Sequence, residues 1–289
     1  MEEYLNYLKS VKGKAENTIN GYEQDLKQFE SFMLDNFEVS KLNDVLNSIT
    51  IQDLHAYISY LDRKGNSNRT KARHIAAIKG YFKYLKSMKV IDDNPAIDLE
   101  SPKIEKTLPI YLSLEEAEKL LDVSKDNKRD YCILTLFLNC GLRLSELIDI
   151  NIEDIRGETL VVNGKGSKER TVYLNQSCLK ALIDWLEVRK EVKDNALFIS
   201  NRNMRFTSDG ISYLVDKYLN NAGLGNKGYT PHKLRHTAAT LMYQNGVDIL
   251  ALKEILGHES VSTTQIYTHI NNKQLKSAVE NNPLNKLKN

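Results

Sequence analysis

The second half of the chain contains the stretch Thr230-Pro-His-Lys-Leu-Arg-His236, which predicts both a helix and a charged site. Threonine caps helices well and proline suits the first helical position, so Thr230-Pro231 indicates a helix start. His232 and Arg235 are three residues apart, so we expect their side chains on one face of that helix. A helix N-terminus that carries an arginine and a histidine is suited to bind a phosphate group.

The same stretch permits two other interpretations. His232 and Arg235 can be ordinary polar residues on a solvated helix, which is the default for exposed charged side chains. His232 and His236 are four apart, a spacing that also suits a metal site. The metal interpretation is the weaker one, because no Glu follows the first His and Arg235 would sit beside the ion.

Three further stretches carry residues of the same kind, and a tyrosine completes the set. They are Cys140-Gly-Leu-Arg-Leu-Ser-Glu-Leu147, Gly164-Lys-Gly-Ser-Lys-Glu-Arg170 and Leu256-Gly-His258, with Tyr267 nine positions after the last histidine. Arg143 follows a glycine turn and can reach a phosphate bidentately, although it can equally pair with Glu146 or Asp149. Lys165 lies between two glycines, which allow a loop to approach a DNA backbone closely.

The string Gly-Lys-Gly-Ser-Lys is not a nucleotide-binding P-loop. No glycine lies five positions before Gly164, and neither Ser nor Thr follows Lys165. Lys165 and Lys168 compete for one role in this turn, and the residues alone leave that choice open.

Together, these residues resemble the active site of the tyrosine recombinases, also called the phage integrase family, and the short layout is most similar to the Xer branch. The matching positions are Arg143, Lys165, His232, Arg235, His258 and Tyr267. The resemblance spans essentially the whole chain, with the motifs confined to residues 140–270. It implies an enzyme that breaks and rejoins DNA strands through a 3′-phosphotyrosyl intermediate and exchanges them via a Holliday junction.

The resemblance also implies a role for each residue. Tyr267 is the nucleophile, Arg143, Arg235 and His258 stabilise charge on the phosphate, and His232 is the general base. Lys165 protonates the leaving 5′-oxygen, since the family's lysine aligns with the first lysine of the turn, and Lys168 then contacts phosphate. Glu146 orients a cationic catalytic residue. No cofactor and no metal is expected, because the covalent bond conserves the phosphodiester energy.

Composition places few limits beyond a globular protein. The chain has 289 residues, 27% of them charged, and a net charge of +2. Three cysteines without close pairing argue against a disulfide framework or a Cys-based zinc site. No apolar run approaches the ~18 residues that span a bilayer, and the acidic N-terminus is unlike a signal peptide. We expect a cytoplasmic protein that does not contact a membrane.

The predicted fold is mainly α with a small β-sheet (α+β). Residues 1–100 are predicted to form a helical, SAM-like core-DNA-binding domain, 101–109 a linker, and 110–289 the catalytic domain with a C-terminal tail helix. Predicted helix starts are Asn17 or Thr18, the capping box Thr50–Asp53, Ser67 or Asn68, and the capping box Ser113–Glu116.

The catalytic domain is predicted to combine a hairpin with helices. The hairpin strands are 159–163 and 171–174, and 197–199 is a predicted third strand. The predicted helices are 127–139, 144–149, 176–190, 208–221, 231–245, 248–256 and 261–270.

A basic segment in the first domain suggests a DNA contact. Between Arg63 and Ile91 there are nine Lys or Arg and no Asp or Glu. Such a local field attracts a polyanion, although a solvated charged face is the plain alternative. The residues predicted to bind DNA are Lys71, Arg73, Lys79, Lys83, Lys168 and Arg170.

The family resemblance implies double-stranded DNA as the partner and a homo- or hetero-tetramer on two DNA sites, joined by exchange of C-terminal tails. It leaves open which DNA sequence is the target and whether a partner recombinase or an activating DNA translocase is needed. It also leaves open whether the reaction resolves chromosomes or integrates a mobile element. The competing functions are a non-catalytic architectural protein on the same fold and a type IB topoisomerase or telomere resolvase.

Overall fold

The structure is a computed structural model that describes residues 1–104, 110–164 and 169–257. The chain divides into two compact units, Met1–Lys106 and Thr107–Asn289, and each has its own hydrophobic core. The predicted linker at 101–109 lies partly outside the described residues, and the predicted domain boundaries stay a prediction.

The first unit is built from helices and the turns that connect them, with no strand in its described part. Its α-helices are α1 (Glu2–Ser10), α2 (Glu16–Phe37), α3 (Ile51–Arg63) and α4 (Asn68–Ser87). The capping box predicted for α3 is confirmed, since Thr50 accepts from the Asp53 amide and Asp53 accepts from the Thr50 amide. Ser67 caps α4, as predicted. The predicted start of α2 at Asn17 or Thr18 is wrong, because the Ala15 carbonyl already accepts from the amides of Thr18 and Ile19.

Helix α4 shows how the basic segment folds. Its apolar stripe is buried in the core of the first unit against α2 and α3. The buried stripe includes Ile75, Ile78, Phe82 and Leu85. The lysines and arginines of α4 all lie off this stripe, so packing fixes which face of α4 is charged.

The second unit packs helices around a small sheet. Its described α-helices are α5 (Leu114–Asp122), α6 (Lys128–Cys140), α7 (Leu144–Asp149), α8 (Gln176–Leu186), α9 (Ser208–Asn221), α10 (Pro231–Gln244) and α11 (Ile249–Leu256). The predicted ranges agree within one residue, except that α8 ends at Leu186 rather than at 190. The predicted helix 261–270 lies outside the described residues. Ser113 and Glu116 form the predicted capping box of α5.

The sheet has three antiparallel strands in the order β1 (Ile155–Arg156), β2 (Thr159–Asn163) and β3 (Glu169–Tyr173). The predicted hairpin is confirmed, with Val161 opposite Thr171 in the β2–β3 register. The predicted strand 197–199 is wrong, since β1 is the third strand. The Leu197 carbonyl accepts from the side chains of Trp185 and Arg189 instead of from a strand.

The fold class is confirmed as mainly α with a small sheet. All three cysteines, Cys132, Cys140 and Cys178, are buried and free. None of the described helices combines the length and the apolarity that crossing a bilayer requires.

Candidate active site

A glycine turn brings Arg143 to the start of α7. Gly141 ends α6 with a φ of 60°, in the left-handed region that favours glycine. A Cβ atom at Gly141 would lie 2.9 Å from a methyl group of Leu256 and 3.6 Å from the Cβ of Ala238. The turn therefore needs glycine both for its backbone angle and for its close contact with α10 and α11.

Helix α10 begins as the sequence predicts, with Thr230 as its cap and Pro231 in its first turn. Arg235 lies one turn in and is buried. Its two terminal nitrogens donate to the carbonyl oxygens of Gly141, at 2.7 Å, and Leu256, at 2.6 Å. Arg235 thus joins the ends of α6 and α11 to the beginning of α10.

Glu146 is the central carboxylate of the site, and only 1% of it is exposed. The Arg143 amide donates to it at 2.8 Å, and Arg143 Nη1 lies 2.5 Å from Oε1. Arg170 approaches the same carboxylate with Nη2 at 2.9 Å and Nε at 3.3 Å. A third guanidinium, that of Arg235, lies 3.7 Å away. We name Arg143, Glu146, Arg170 and Arg235 the arginine cluster.

The charge of Glu146 is maintained by its arginine partners. Burial by itself would raise the pKa of Glu146, but the hydrogen bond and the charge of Arg170, followed by those of Arg143, hold that pKa below its ordinary value. Glu146 is therefore ionised at neutral pH. Three guanidinium groups against one carboxylate leave the arginine cluster with a surplus of positive charge.

The three arginines also bind the carboxyl end of α11. Arg170 donates to the Ile255 carbonyl, Arg235 to that of Leu256, and Arg143 to that of Gly257 at 2.7 Å. The last carbonyls of a helix lack partners within the helix and carry partial negative charge. The three guanidinium groups satisfy them and fix the backbone immediately before residue 258.

A cavity of about 240 Å³ lies between the α7 turn and the start of α10. Its lining includes Arg143, His232 and Arg235, with Thr230 and Pro231 from the helix start. The pKa of His232 is lowered, first by burial and then by the nearby positive charges of Arg235, Lys233 and Arg143. An imidazole that stays neutral in this position can accept a proton.

The structure brings Arg143, Glu146, His232 and Arg235 together, from parts of the sequence about ninety residues apart. Lys165, Lys168, His258 and Tyr267 lie outside the described residues. Among residues 1–104, 110–164 and 169–257, no three His, Cys, Asp or Glu side chains are grouped so as to hold a metal ion.

The residues predicted to bind DNA have varied surroundings. On α4, Lys71 pairs with Asp62 at 2.5 Å, and Lys79 donates to the Leu99 carbonyl at 3.0 Å. Arg73 is half-exposed and binds Asp25 through two nitrogens. Lys83 is exposed. These four side chains therefore differ in how exposed they are and in whether a protein group already binds their charge.

Arg170 differs from these because it belongs to the arginine cluster; its side chain is 12% exposed, as is that of Lys71. Strand alternation in the sequence indicates that Arg170 lies on the inward face of β3, a signal that the sequence analysis did not use. Alternate residues of a strand share a face, so Arg170 lies on the same side of β3 as the buried Val172.

Comparison with known proteins places these features in a family. Residues 111–274 match the phage integrase family, and residues 1–89 match the phage integrase N-terminal SAM-like domain. Tyrosine recombinase XerC of Caldanaerobacter subterraneus subsp. tengcongensis is 47% identical, over 98% of this chain and 86% of the relative. Tyrosine recombinase XerD of Staphylococcus epidermidis is 34% identical, over 96% of this chain and 95% of the relative.

Solved structures give the same result. The XerH site-specific recombinase bound to palindromic difH substrate, in a post-cleavage complex, has a TM-score of 0.75 and 27% identity, covering 91% of this chain and 79% of that one. The XerA recombinase has a TM-score of 0.55 and 33% identity, covering 96% of this chain and 97% of that one. This chain therefore belongs to the phage integrase family, the tyrosine recombinases.

Proposed function

We propose that this chain is a site-specific recombinase that cuts and rejoins double-stranded DNA through a covalent bond between Tyr267 and a 3′-phosphate. The observation that carries the proposal is the cavity between Arg143, His232 and Arg235, beside the surplus positive charge of the arginine cluster. Preorganised positive groups in a partly buried site stabilise the charge that develops on a phosphate during transfer.

In the first step, the Tyr267 hydroxyl oxygen attacks the scissile phosphorus and the bond to the 5′-oxygen breaks. A tyrosine hydroxyl has an ordinary pKa near 10, so it needs a base and nearby positive charge. His232 takes the proton, since its lowered pKa keeps it neutral near pH 7. Lys165 gives a proton to the leaving 5′-oxygen, and Lys168 is the alternative donor.

Arg143 and Arg235, together with His258, stabilise the non-bridging oxygens during this step. Glu146 holds Arg143 in place by accepting one hydrogen bond from its backbone amide and one from its guanidinium. Arg235 is fixed by two backbone carbonyls, so little reorganisation is needed when a phosphate arrives.

In the second step, the 5′-hydroxyl of another strand attacks the phosphotyrosyl bond and releases Tyr267. The energy of the phosphodiester is conserved throughout, so neither ATP nor a metal takes part. Two rounds of exchange pass through a Holliday junction. XerH, which is similar in sequence and fold, has been solved in pre-cleavage and post-cleavage complexes with difH.

The first unit supplies further DNA contacts. Helix α4 presents a positively charged face and buries the opposite one, an arrangement suited to a DNA backbone or groove. Lys83 and the exposed part of Arg73 have the freest charges among the four α4 residues named above. We assign phosphate contacts to Lys71, Arg73, Lys79 and Lys83.

The proposal also covers the C-terminal segment and the cellular compartment. Residues 271–289 would dock on a neighbouring protomer and close a homo- or hetero-tetramer on two DNA sites. The cytoplasm is the proposed compartment, where the DNA substrate is found and where the three free cysteines stay reduced.

A suicide substrate tests the proposal. The DNA site is first selected by the protein from a random-sequence duplex library, and a nick is then placed beside the cleavage position so that the cut fragment diffuses away. The protein is incubated with this duplex in EDTA, beside a Tyr267→Phe variant. We expect a protein–DNA adduct on a denaturing gel that the variant does not form. Binding of the duplex without any adduct would favour a non-catalytic architectural protein.

A further inference from the structure

Arg170 is largely enclosed and makes several side-chain hydrogen bonds. Its Nε and Nη2 atoms bind the two oxygens of Glu146, and its Nη1 donates to the Ile255 carbonyl. A planar guanidinium that spans both oxygens of a carboxylate is held in one orientation. Arg170 therefore connects three elements, β3, α7 and α11.

The end of α11 closes tightly over this side chain. Gly257 has a φ of 61°, and a Cβ atom there would lie 2.6 Å from Arg170 Cδ and 3.1 Å from its Nε. The neighbouring carbonyls of Leu256 and Gly257 are bound by Arg235 and Arg143. Arg170 thus supports the same short stretch of backbone, Ile255–Gly257, as the two arginines that line the cavity.

The geometry points to Arg170 as a positioning residue for strand cleavage, which acts through Glu146 and the carboxyl end of α11 and does not contact DNA. This inference deepens the proposed function and rests on it. Without Arg170, Glu146 loses the partner that most strongly maintains its charge, and the orientation of Arg143 is no longer fixed. The cavity then remains, but its groups leave the geometry that the transferring phosphate requires.

The test separates cleavage from binding. Arg170→Ala and Arg170→Lys are compared with the unsubstituted protein in single-turnover cleavage of the nicked duplex at saturating DNA, and in DNA affinity over a range of salt concentrations. We expect cleavage to slow by about tenfold to a hundredfold, since small misplacement of reacting groups has costs of that size. The dissociation constant and its salt dependence should stay within about twofold. Lysine should rescue poorly, because it keeps the charge but cannot span the carboxylate.

Arg189→Lys is the matched control. Arg189 is a structural arginine of the same unit that donates to the carbonyls of Asp194, Ala196 and Leu197, and none of these residues lines the cavity. This control should lower thermal stability while leaving cleavage by the folded protein unchanged. A purely structural Arg170 would behave in the same way.

Two results would overturn the inference. A weaker affinity with a salt slope reduced by about 1, and normal cleavage at saturation, would make Arg170 a phosphate contact. Cleavage equal to that of Arg189→Lys at matched stability would leave Arg170 only a structural role. Failure of the proposed function is recognised separately, because the unsubstituted protein would then form no adduct.

Discussion

Asp25 in the first unit and Glu146 in the second are both buried beside positively charged side chains, but their charges are balanced differently. In the first unit, Asp25 binds the guanidinium of Arg73 and lies 3.1 Å from Nε2 of His74. Burial lowers the pKa of His74, so the imidazole is neutral and one arginine balances one carboxylate. In the second unit, Glu146 faces three guanidinium groups.

The difference shows what each network is for. A balanced and buried pair orients its members, and the Asp25 network continues through His74 Nδ1 to the Tyr57 hydroxyl at 3.0 Å. A network with surplus positive charge can be balanced by binding an anion. We therefore propose that the arginine cluster receives a phosphate, whereas the Asp25 network joins α4 to α2 and α3.

Loss of a guanidinium from the arginine cluster should have the largest effect. Arg235→Ala removes one positive charge from the cavity and leaves the Gly141 and Leu256 carbonyls without their donor. We expect adduct formation to slow on the order of 10²–10³-fold, the usual cost of one charge-stabilising group. Single-turnover cleavage at saturating DNA measures it, with urea unfolding to confirm that the variant is folded. A rate within threefold of normal would refute the role of the surplus charge.

Loss of the balanced carboxylate should affect stability and not chemistry. Asp25→Asn removes the charge that holds Arg73 and His74. We expect the free energy of unfolding to fall by about 1–2 kcal/mol. The loss stays this small because the half-exposed Arg73 regains part of its hydration when Asp25 loses its charge. Urea unfolding followed by circular dichroism measures this loss. An unchanged unfolding midpoint would mean that the network does not stabilise α4.

The two lowered histidine pKa values give separate pH effects. The lowered pKa of His232 keeps the imidazole neutral, and able to act as a base, as the pH falls. The rate of cleavage at limiting DNA should therefore stay constant down to about pH 6.5, the ordinary pKa of histidine, and decline only below it. A midpoint above 6.5 would contradict the assignment of His232 as the base.

The lowered pKa values also affect the stability of the fold. As the pH falls, His74 and His232 are protonated in the unfolded state at a higher pH than in the folded state. The contribution of both groups is therefore complete above pH 6.5 and is lost as pH falls through their lower folded pKa values. Urea unfolding at several pH values should show stability decreasing below about 6.5. His74→Gln should flatten that dependence while the pH profile of cleavage keeps its shape.

Helix caps that belong to neither network should have the smallest effects. Thr50→Ala and Ser113→Ala each remove a capping side chain, one in each unit. We expect a loss of about 1 kcal/mol in unfolding free energy for each, with cleavage unchanged. A cleavage defect in Ser113→Ala beyond twofold would show that general destabilisation of the second unit is enough to disturb the site.

Local patterns in the sequence predicted local structure well. Capping boxes, the β2–β3 hairpin and the start of α10 depend on residues three or four apart or on strand alternation, and the structure confirms them. The strand predicted at 197–199 failed because Trp185 and Arg189 take the carbonyl of Leu197, a contact that no local pattern contains.

The site was predictable in its residue types but not in its connections. Arg143, His232 and Arg235 follow from their motifs and from the family resemblance. The contacts of Arg170 with Glu146 and Ile255 join residues 24 and 85 positions apart, so only the tertiary fold reveals them. Asp25 was missed for the same reason, since its partner Arg73 is 48 positions away.

A side-by-side measurement of two charge-neutralising variants tests the central claim most directly. Asp25→Asn and Glu146→Gln remove one buried carboxylate from each unit with little change in shape. The single-turnover rate of adduct formation is measured for both on the nicked duplex, at saturating DNA and below both unfolding transitions. The surplus-charge account predicts a rate within about twofold of normal for Asp25→Asn and a loss of at least about tenfold for Glu146→Gln. Equal rates for the two variants would contradict it.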